Sequence, residues 1–282
     1  MPEKLSETVE KNSPLRLFWW KATPNFGDAL SPLIVSQVSG RPVVHARPGQ
    51  CDMLGLGSLL KVMQRNHRVA RADGTRPVIW GAGVLQAVPT GFVDHVDIAL
   101  VRGPVTAALL GLDSNRFGDP GLLADRLLAD RPSWQDRIAF VPHHSMMDDP
   151  KVLDLAKSEP ALDLIGPETD PLDVCARIAS ARHVVSASLH GLVLADAFGV
   201  PSTWLSPGTQ SRLKYHDYAA SIGRPMIAPV SLSDVPAVLR SLSDNDRLGY
   251  QSGIDRARSD LLNTFPAHLC AEPHIEHAPV RA

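Results

Sequence analysis

The chain reads as an α/β protein of two Rossmann-like domains with mostly parallel sheets and a cleft between them. Three observations predict this. Short apolar runs alternate with helical patterns from residue 15 onward, the rhythm of a buried parallel sheet. That rhythm breaks at the charged, proline-bearing stretch "LLADRLLADRPSWQDR" (122–137) and restarts at 137. The length of 282 residues exceeds the usual size of one compact core, so two domains of about 130 residues fit it well. The expected division is 14–130 and 137–265, with loose tails at 1–13 and 271–282.

In the first half, "LRLFWW" (15–20) is a strand and "DALSPLIVSQVSG" (28–40) a helix. Asp28 suits the cap of that helix, Pro32 falls within its tolerated first turns, and Gly40 suits its end. "CDMLGLGS" (51–58), "PVIWGAGV" (77–84) and "HVDIALVRG" (95–103) follow as strands, and "PVTAALLGL" (104–112) as a helix opened by Pro104. In the second half, strands are expected at "RIAFVPHH" (137–144), "LDLIG" (162–166), "HVVSAS" (183–188) and "PSTWLS" (201–206). Helices are expected near 149–158, 170–181 and 189–199.

Open parallel sheets bind ligands beyond the carboxyl ends of their strands, so the loops there are the candidates. "TPNFGDAL" holds Asn25, Gly27 and Asp28. Gly27 permits a tight turn, and the helix behind it offers free N–H groups. Asp28 reads as a helix cap, as a cleft-facing acid, or as both. The loops "GLGS" (55–58) and "WGAG" (80–83) lack the dinucleotide fingerprint G-x-G-x-x-G, and their glycines serve tight packing or close ligand approach. In "LVRGPVTAAL", Arg102 ends a strand where a Pro-started helix begins. It is either an anion grip beside a helix N-terminus or a cap on the sheet edge. "FGDPG" (117–121) lies close behind it.

The stretch "SASLHGLVLADAFGVP" (186–201) places a polar knot before an apolar helix. Ser188 suits the cap of that helix, which puts His190 in the first turn. The positive end of the helix dipole disfavours a charged imidazole there. A neutral His at that position fits anion binding or proton transfer, against the plainer reading of a core His. Asp196, on the same apolar helix, needs a buried partner. The basic run "SRLKYHDYAASIGR" (211–224) carries Arg212, Lys214 and Arg224. It is a solvated face, or a loop leaning over the cleft toward an anion.

Composition narrows the classes. Apolar residues make up 44%, charged residues 21%, and the formal net charge is -2, so no global field recruits nucleic acid or an anionic membrane. The three cysteines, Cys51, Cys175 and Cys270, form no C-x-x-C and read as reduced thiols of a cytosolic protein. The N-terminus is polar, without the apolar core of a secretory leader. No apolar run approaches the roughly 20 residues of a membrane span. A cytoplasmic protein is expected, with any membrane contact peripheral and on the cytosolic face.

The ordered set "LFWW", "NFGDALSPLIV", "VIWGAGV", "VRGPVT", "FGDPGLL", "VPHH", "SLHGLVLADAFGVP" and "RLKYHDY" resembles the polysaccharide pyruvyl transferase family, and most of all its bacterial exopolysaccharide members. The resemblance runs from about residue 15 to 265. It implies a glycosyltransferase-B-like arrangement of the two domains. It also implies transfer of pyruvate from phosphoenolpyruvate to two hydroxyls of a sugar, giving a ketal and phosphate. The implied acceptor is a saccharide or lipid-linked oligosaccharide. No cofactor or metal is implied, because phosphate departs as an anion. Arg102 and the Arg212/Lys214 pair are then expected to hold the donor's anionic groups. His190 becomes phosphate ligand or general acid, Asp28 the base for the acceptor hydroxyl, and His143 and Ser188 further cleft residues. Some members carry Arg two residues before the His, where this chain has Ser188, which shifts the phosphate grip toward Arg212 or Lys214. The rival readings are a nucleotide-sugar glycosyltransferase, since fold does not dictate function, and a non-catalytic glycan-binding protein. Neither a convincing acid for a nucleotide ribose nor loss of the His190, Arg102 and Asp28 set supports them.

Overall fold

The computed structural model describes residues 13–226, 228–243 and 248–272. The first half forms a five-stranded, wholly parallel sheet. Its strands are β1 (Leu15–Phe18), β2 (Val43–His45), β3 (Met53–Leu54), β4 (Val78–Ala82) and β5 (Asp97–Val101), in the order β2-β1-β3-β4-β5. Helix α1 (Phe26–Ser39) connects β1 to β2, α2 (Leu60–Asn66) follows β3, and α3 (Pro104–Leu110) follows β5. The second half forms a four-stranded parallel sheet, β6 (Gln135–Val141), β7 (Leu162–Leu164), β8 (Ala181–Ser186) and β9 (Ser202–Trp204), in the order β7-β6-β8-β9. Helices α4 (Pro150–Ser158), α5 (Pro171–Ser180) and α6 (Leu189–Phe198) make its crossovers, and α7 (Leu213–Ile222), α8 (Val235–Ser241) and α9 (Gln251–Thr264) close the described chain.

The apolar strands form because both faces of each sheet are covered, so the β-branched and large residues are buried on either side. β4 is buried at every residue, with Trp80 fully enclosed. α6 is apolar almost all round and is buried along nearly its whole length, as expected of a helix packed between layers. One apolar cluster joins the sheets: it contains Leu15, Leu17 and Trp80 from the first half and Val184, Leu192 and Tyr218 from the second. α9 returns to the first half, where Leu261 takes a 2.9 Å hydrogen bond from the Trp80 indole N–H on its carbonyl.

Several elements differ from the sequence reading. β1 stops at Phe18, so Trp19 and Trp20 lie in the loop after it. α1 starts at Phe26, and its cap is Asn25, whose side chain accepts the Gly27 N–H at 2.9 Å. Asp28 is thus not the cap but a residue of the first turn. Within the boundary stretch 122–137, a 3-10 helix at Pro120–Leu127 buries Leu122, Leu123 and Ala124. β2, α2 and the helices after β9 were not expected. The tails named at 1–13 and 271–282 lie outside the described residues except for Ser13, Ala271 and Glu272. Among the described residues no helix is long and apolar enough to cross a membrane.

Candidate active site

A cavity of about 340 Å³ opens beyond the carboxyl ends of strands from both sheets. Its lining includes Asn25 and Asp28 after β1, Ser58 after β3, His143 after β6, His190 after β8 and Lys214 on α7. This is where parallel sheets place ligands.

Two helix N-termini meet here. α1 enters from the first sheet and α6 from the second, and Gly27 of α1 lies against the His190 ring of α6. A Cβ built on Gly27 would fall 2.1 Å from His190 Nδ1, so only glycine permits this approach. The first turn of each helix carries N–H groups without helical partners and the positive end of the dipole, which makes the junction a receptor for anions. Ahead of α6, Ser186 organises the turn: its hydroxyl accepts the Ser188 N–H at 3.0 Å and lies 2.8 Å from the Ser188 carbonyl it donates to. Ser188 occupies the cap position but makes no side-chain cap bond, and it lines the cavity instead. The expected side-chain cap is therefore absent, and Ser186 instead fixes the Ser188 backbone ahead of the first turn.

The electrostatics of His190 follow from its surroundings. Burial, then the Lys214 and Arg102 charges, push its pKa down to about 3, so the resting ring is neutral. Its Nε2 is buried without a hydrogen-bond partner and lies 4.0 Å from Asp119 Oδ2, which is likewise buried and unpartnered. Asp119 caps the 3-10 helix at Pro120–Leu127 through its other oxygen, which accepts the Gly121 N–H at 2.9 Å. Burial raises the Asp119 carboxyl to about 6, against the lowering effect of Arg102.

Asp28 and Lys214 form the other charged part. Burial raises the Asp28 carboxyl to about 6, partly offset by Lys214. Burial and the Arg102 charge lower the Lys214 ammonium to about 8, while Asp28 supports its charge. His143 begins a short turn and places Nδ1 2.8 Å from Ser145 Oγ, with its ring 4.0 Å from that of His144. Burial, Lys214 and His144 push His143 down to about 3. Trp20 is 40% exposed and lines the cavity mouth with Leu85, Val62, Lys61 and Arg65.

Arg102 stands elsewhere than expected. It is fully buried and binds Asp217 at 3.0 Å, Ser58 Oγ at 2.7 Å and the Val84 carbonyl at 3.0 Å. Gly83 leaves the space for the guanidinium, whose Cζ lies 2.3 Å from where a Cβ would be. Arg102 thus sits behind the cavity wall and reaches it through Ser58. A direct grip on a donor anion is replaced by an internal ion pair, since a buried guanidinium requires a partner. Arg212 is exposed at the start of α7 and is not part of the lining, so the expected Arg212/Lys214 pair reduces to Lys214 at the cavity. Asp196 finds the buried partners it needs in Arg224 at 3.0 Å and the hydroxyls of Tyr218 and Tyr250, each at 2.8 Å. Asp119 and Asp217 were missed. Asp119 lay in view inside "FGDPG", read only as lying close behind Arg102, where Asp-Pro-Gly signals a turn.

Comparison with known proteins adds the family. A family model described as polysaccharide pyruvyl transferase matches residues 5–209. The succinoglycan biosynthesis protein ExoV of Rhizobium meliloti is 29% identical over 230 residues, covering 76% of this chain and 67% of that protein. The uncharacterised protein L143 of Acanthamoeba polyphaga mimivirus is 26% identical over 168 residues, covering 55% of this chain and 58% of its own. A solved structure, of a functionally uncharacterised protein from Klebsiella pneumoniae, covers 82% of this chain and 99% of its own at 15% identity, with a TM-score of 0.43.

Proposed function

The chain belongs to the polysaccharide pyruvyl transferase family, and from that premise we propose that it carries the pyruvyl group of phosphoenolpyruvate to a sugar of a lipid-linked polysaccharide repeat unit. The reaction adds a proton to C3 of the enol and leaves positive charge at C2. One sugar hydroxyl bonds to C2, the C2–O bond to phosphate breaks, and a second hydroxyl closes the ketal. The two hydroxyl protons balance the one gained at C3 and the one taken up by phosphate.

The observation that carries this reading is the meeting of α1 and α6 at the Gly27–His190 contact, with Lys214 and Asp28 on the same cavity. In this reading the two first turns and Lys214 hold the donor's phosphate and carboxylate. His190 starts neutral; a donor anion against the ring favours its protonated form, so the proton for the enol arrives with the donor. Asp28 takes the proton of the attacking hydroxyl. Trp20 offers a ring face to the sugar, and Lys61 and Arg65, four residues apart on α2, face the anionic carrier at the cytosolic side of the membrane. The residues fall into an acceptor-side half, 14–130, and a donor-side half, 137–265, in a glycosyltransferase-B-like arrangement.

The test is turnover. The enzyme is given phosphoenolpyruvate and saccharide or lipid-linked acceptors. Phosphate release and the new ketal methyl signal are followed together. One phosphate per ketal is expected, and loss of both in folded His190→Ala. Release of nucleotide from a sugar nucleotide, with phosphoenolpyruvate untouched, would move the assignment to glycosyl transfer.

A further inference from the structure

We propose that Asp119 is the positioning residue of His190: it takes the Nε2–H as a hydrogen bond and thereby leaves Nδ1 to face the donor. The role of His190 in transfer rests on the reading above; the pairing itself rests on geometry. Nε2 of His190 and Oδ2 of Asp119 are both buried, both without another partner, and 4.0 Å apart. That is about 1 Å beyond hydrogen-bond range, and two orphaned polar atoms facing one another are costly unless they meet. Nδ1 lies on the opposite side of the ring, beside Gly27 at the α1 N-terminus, and His190 lines the cavity.

The surroundings fix the two partners differently. Asp119 is held by the Gly121 N–H through Oδ1, so Oδ2 has one orientation to offer. Pro120 and the buried turn behind it lock the backbone at that point. His190 lies against Gly27 through its Nδ1 edge, and a small rotation of the ring closes the 4.0 Å gap from Nε2 to Oδ2. The charged groups around the pair are Arg102 after β5, Lys214 and Asp217 on α7, and Asp28 on α1. Arg102 is paired with Asp217, and its charge favours the ionised form of Asp119, the form that can accept from the imidazole. A carboxylate behind a His fixes its tautomer and stabilises the imidazolium when a proton arrives.

The experiment uses the full chain with 15N-labelled histidine, the His190 signals being identified by their loss in His190→Gln. Wild type is expected to show His190 protonated at Nε2 and bare at Nδ1. Asp119→Asn keeps the side chain's size and the acceptor for Gly121, yet removes the charge. It is expected to change the His190 tautomer distribution and to lower kcat by about 10²-fold, with KM for phosphoenolpyruvate within about threefold of wild type. An unchanged tautomer in Asp119→Asn overturns the proposal, whether or not kcat falls, and so does an unchanged kcat. If wild type does not turn over phosphoenolpyruvate, the donor reading fails while the tautomer comparison still decides the pairing. Should Asp119→Asn not fold, wild type alone decides: a proton on Nδ1 and none on Nε2 overturns the proposal.

Discussion

At the scale of single residues, the site depends on a contact that tolerates no side chain. Gly27→Ala would place a methyl group 2.1 Å from His190 Nδ1. The helix conformation accepts alanine, so the effect falls on the ring it displaces. Turnover is expected to drop by about 10²-fold, as small misplacements at a reacting centre do. The accompanying loss of stability is about 1–3 kcal/mol, typical of overpacking. Kinetics and denaturant unfolding of the same variant separate the two. The acids and bases also predict a pH profile. Asp28 works as the carboxylate, so activity rises with pH through about 6. Lys214 works as the ammonium, so donor binding falls as pH passes about 8. A bell-shaped kcat/KM with limbs near these values is expected; the alkaline limb is lost in Lys214→Met, and the acid limb, which Asp28 shares with Asp119, is lost only when both carboxylates are replaced. His190, Asp28, Asn25 and Gly27 were visible in the sequence because each sits at a strand-to-helix junction beside glycine or a cap. The fate of Arg102 was not visible. Its partner Asp217 lies 115 positions away, and nothing local announces a pairing of that span.

At the scale of elements, α7 is tied to the first half by that pair. Asp217 holds the Arg102 guanidinium and also accepts from the N–H and hydroxyl of Thr106 in α3, at 2.8 Å and 2.7 Å. Arg102→Ala leaves Asp217 buried and uncompensated, which costs about 3–5 kcal/mol. Denaturant titration of Arg102→Ala is expected to show this loss. A variant with wild-type stability and only a raised KM for the donor would return Arg102 to direct ligation. The main strands and the helices α1, α3, α4, α5 and α6 were legible: α3, α4 and α5 open on a proline, and α1 and α6 carry long apolar runs that end at a glycine. β2, with Val43 only half-buried and two exposed residues beyond it, lacks an apolar signature. α2 is seven residues long, as α3 is, but has neither a capping side chain nor a proline to announce its start. α7 hides inside a run of charges, since its buried Asp217 and Tyr218 look polar in sequence yet face partners in the core.

At the scale of the whole molecule, the two sheets share one apolar cluster and α9 bridges back to β4. Unfolding is therefore expected as one cooperative transition, followed in parallel by tryptophan fluorescence and far-ultraviolet circular dichroism. Leu261 is fully buried at that bridge, and Leu261→Ala is expected to cost about 2–5 kcal/mol while leaving a single transition. Two separated transitions would show that the halves are energetically independent.

Donor identity is the claim on which the assignment turns, and calorimetric titration of the wild-type protein with phosphoenolpyruvate, at pH 7 and pH 9 with nucleotide sugars as controls, tests it most directly. Saturable binding of phosphoenolpyruvate is predicted, weaker at pH 9 where Lys214 has lost its proton and further weakened in Lys214→Met. Binding of a nucleotide sugar with no response to phosphoenolpyruvate would contradict the account.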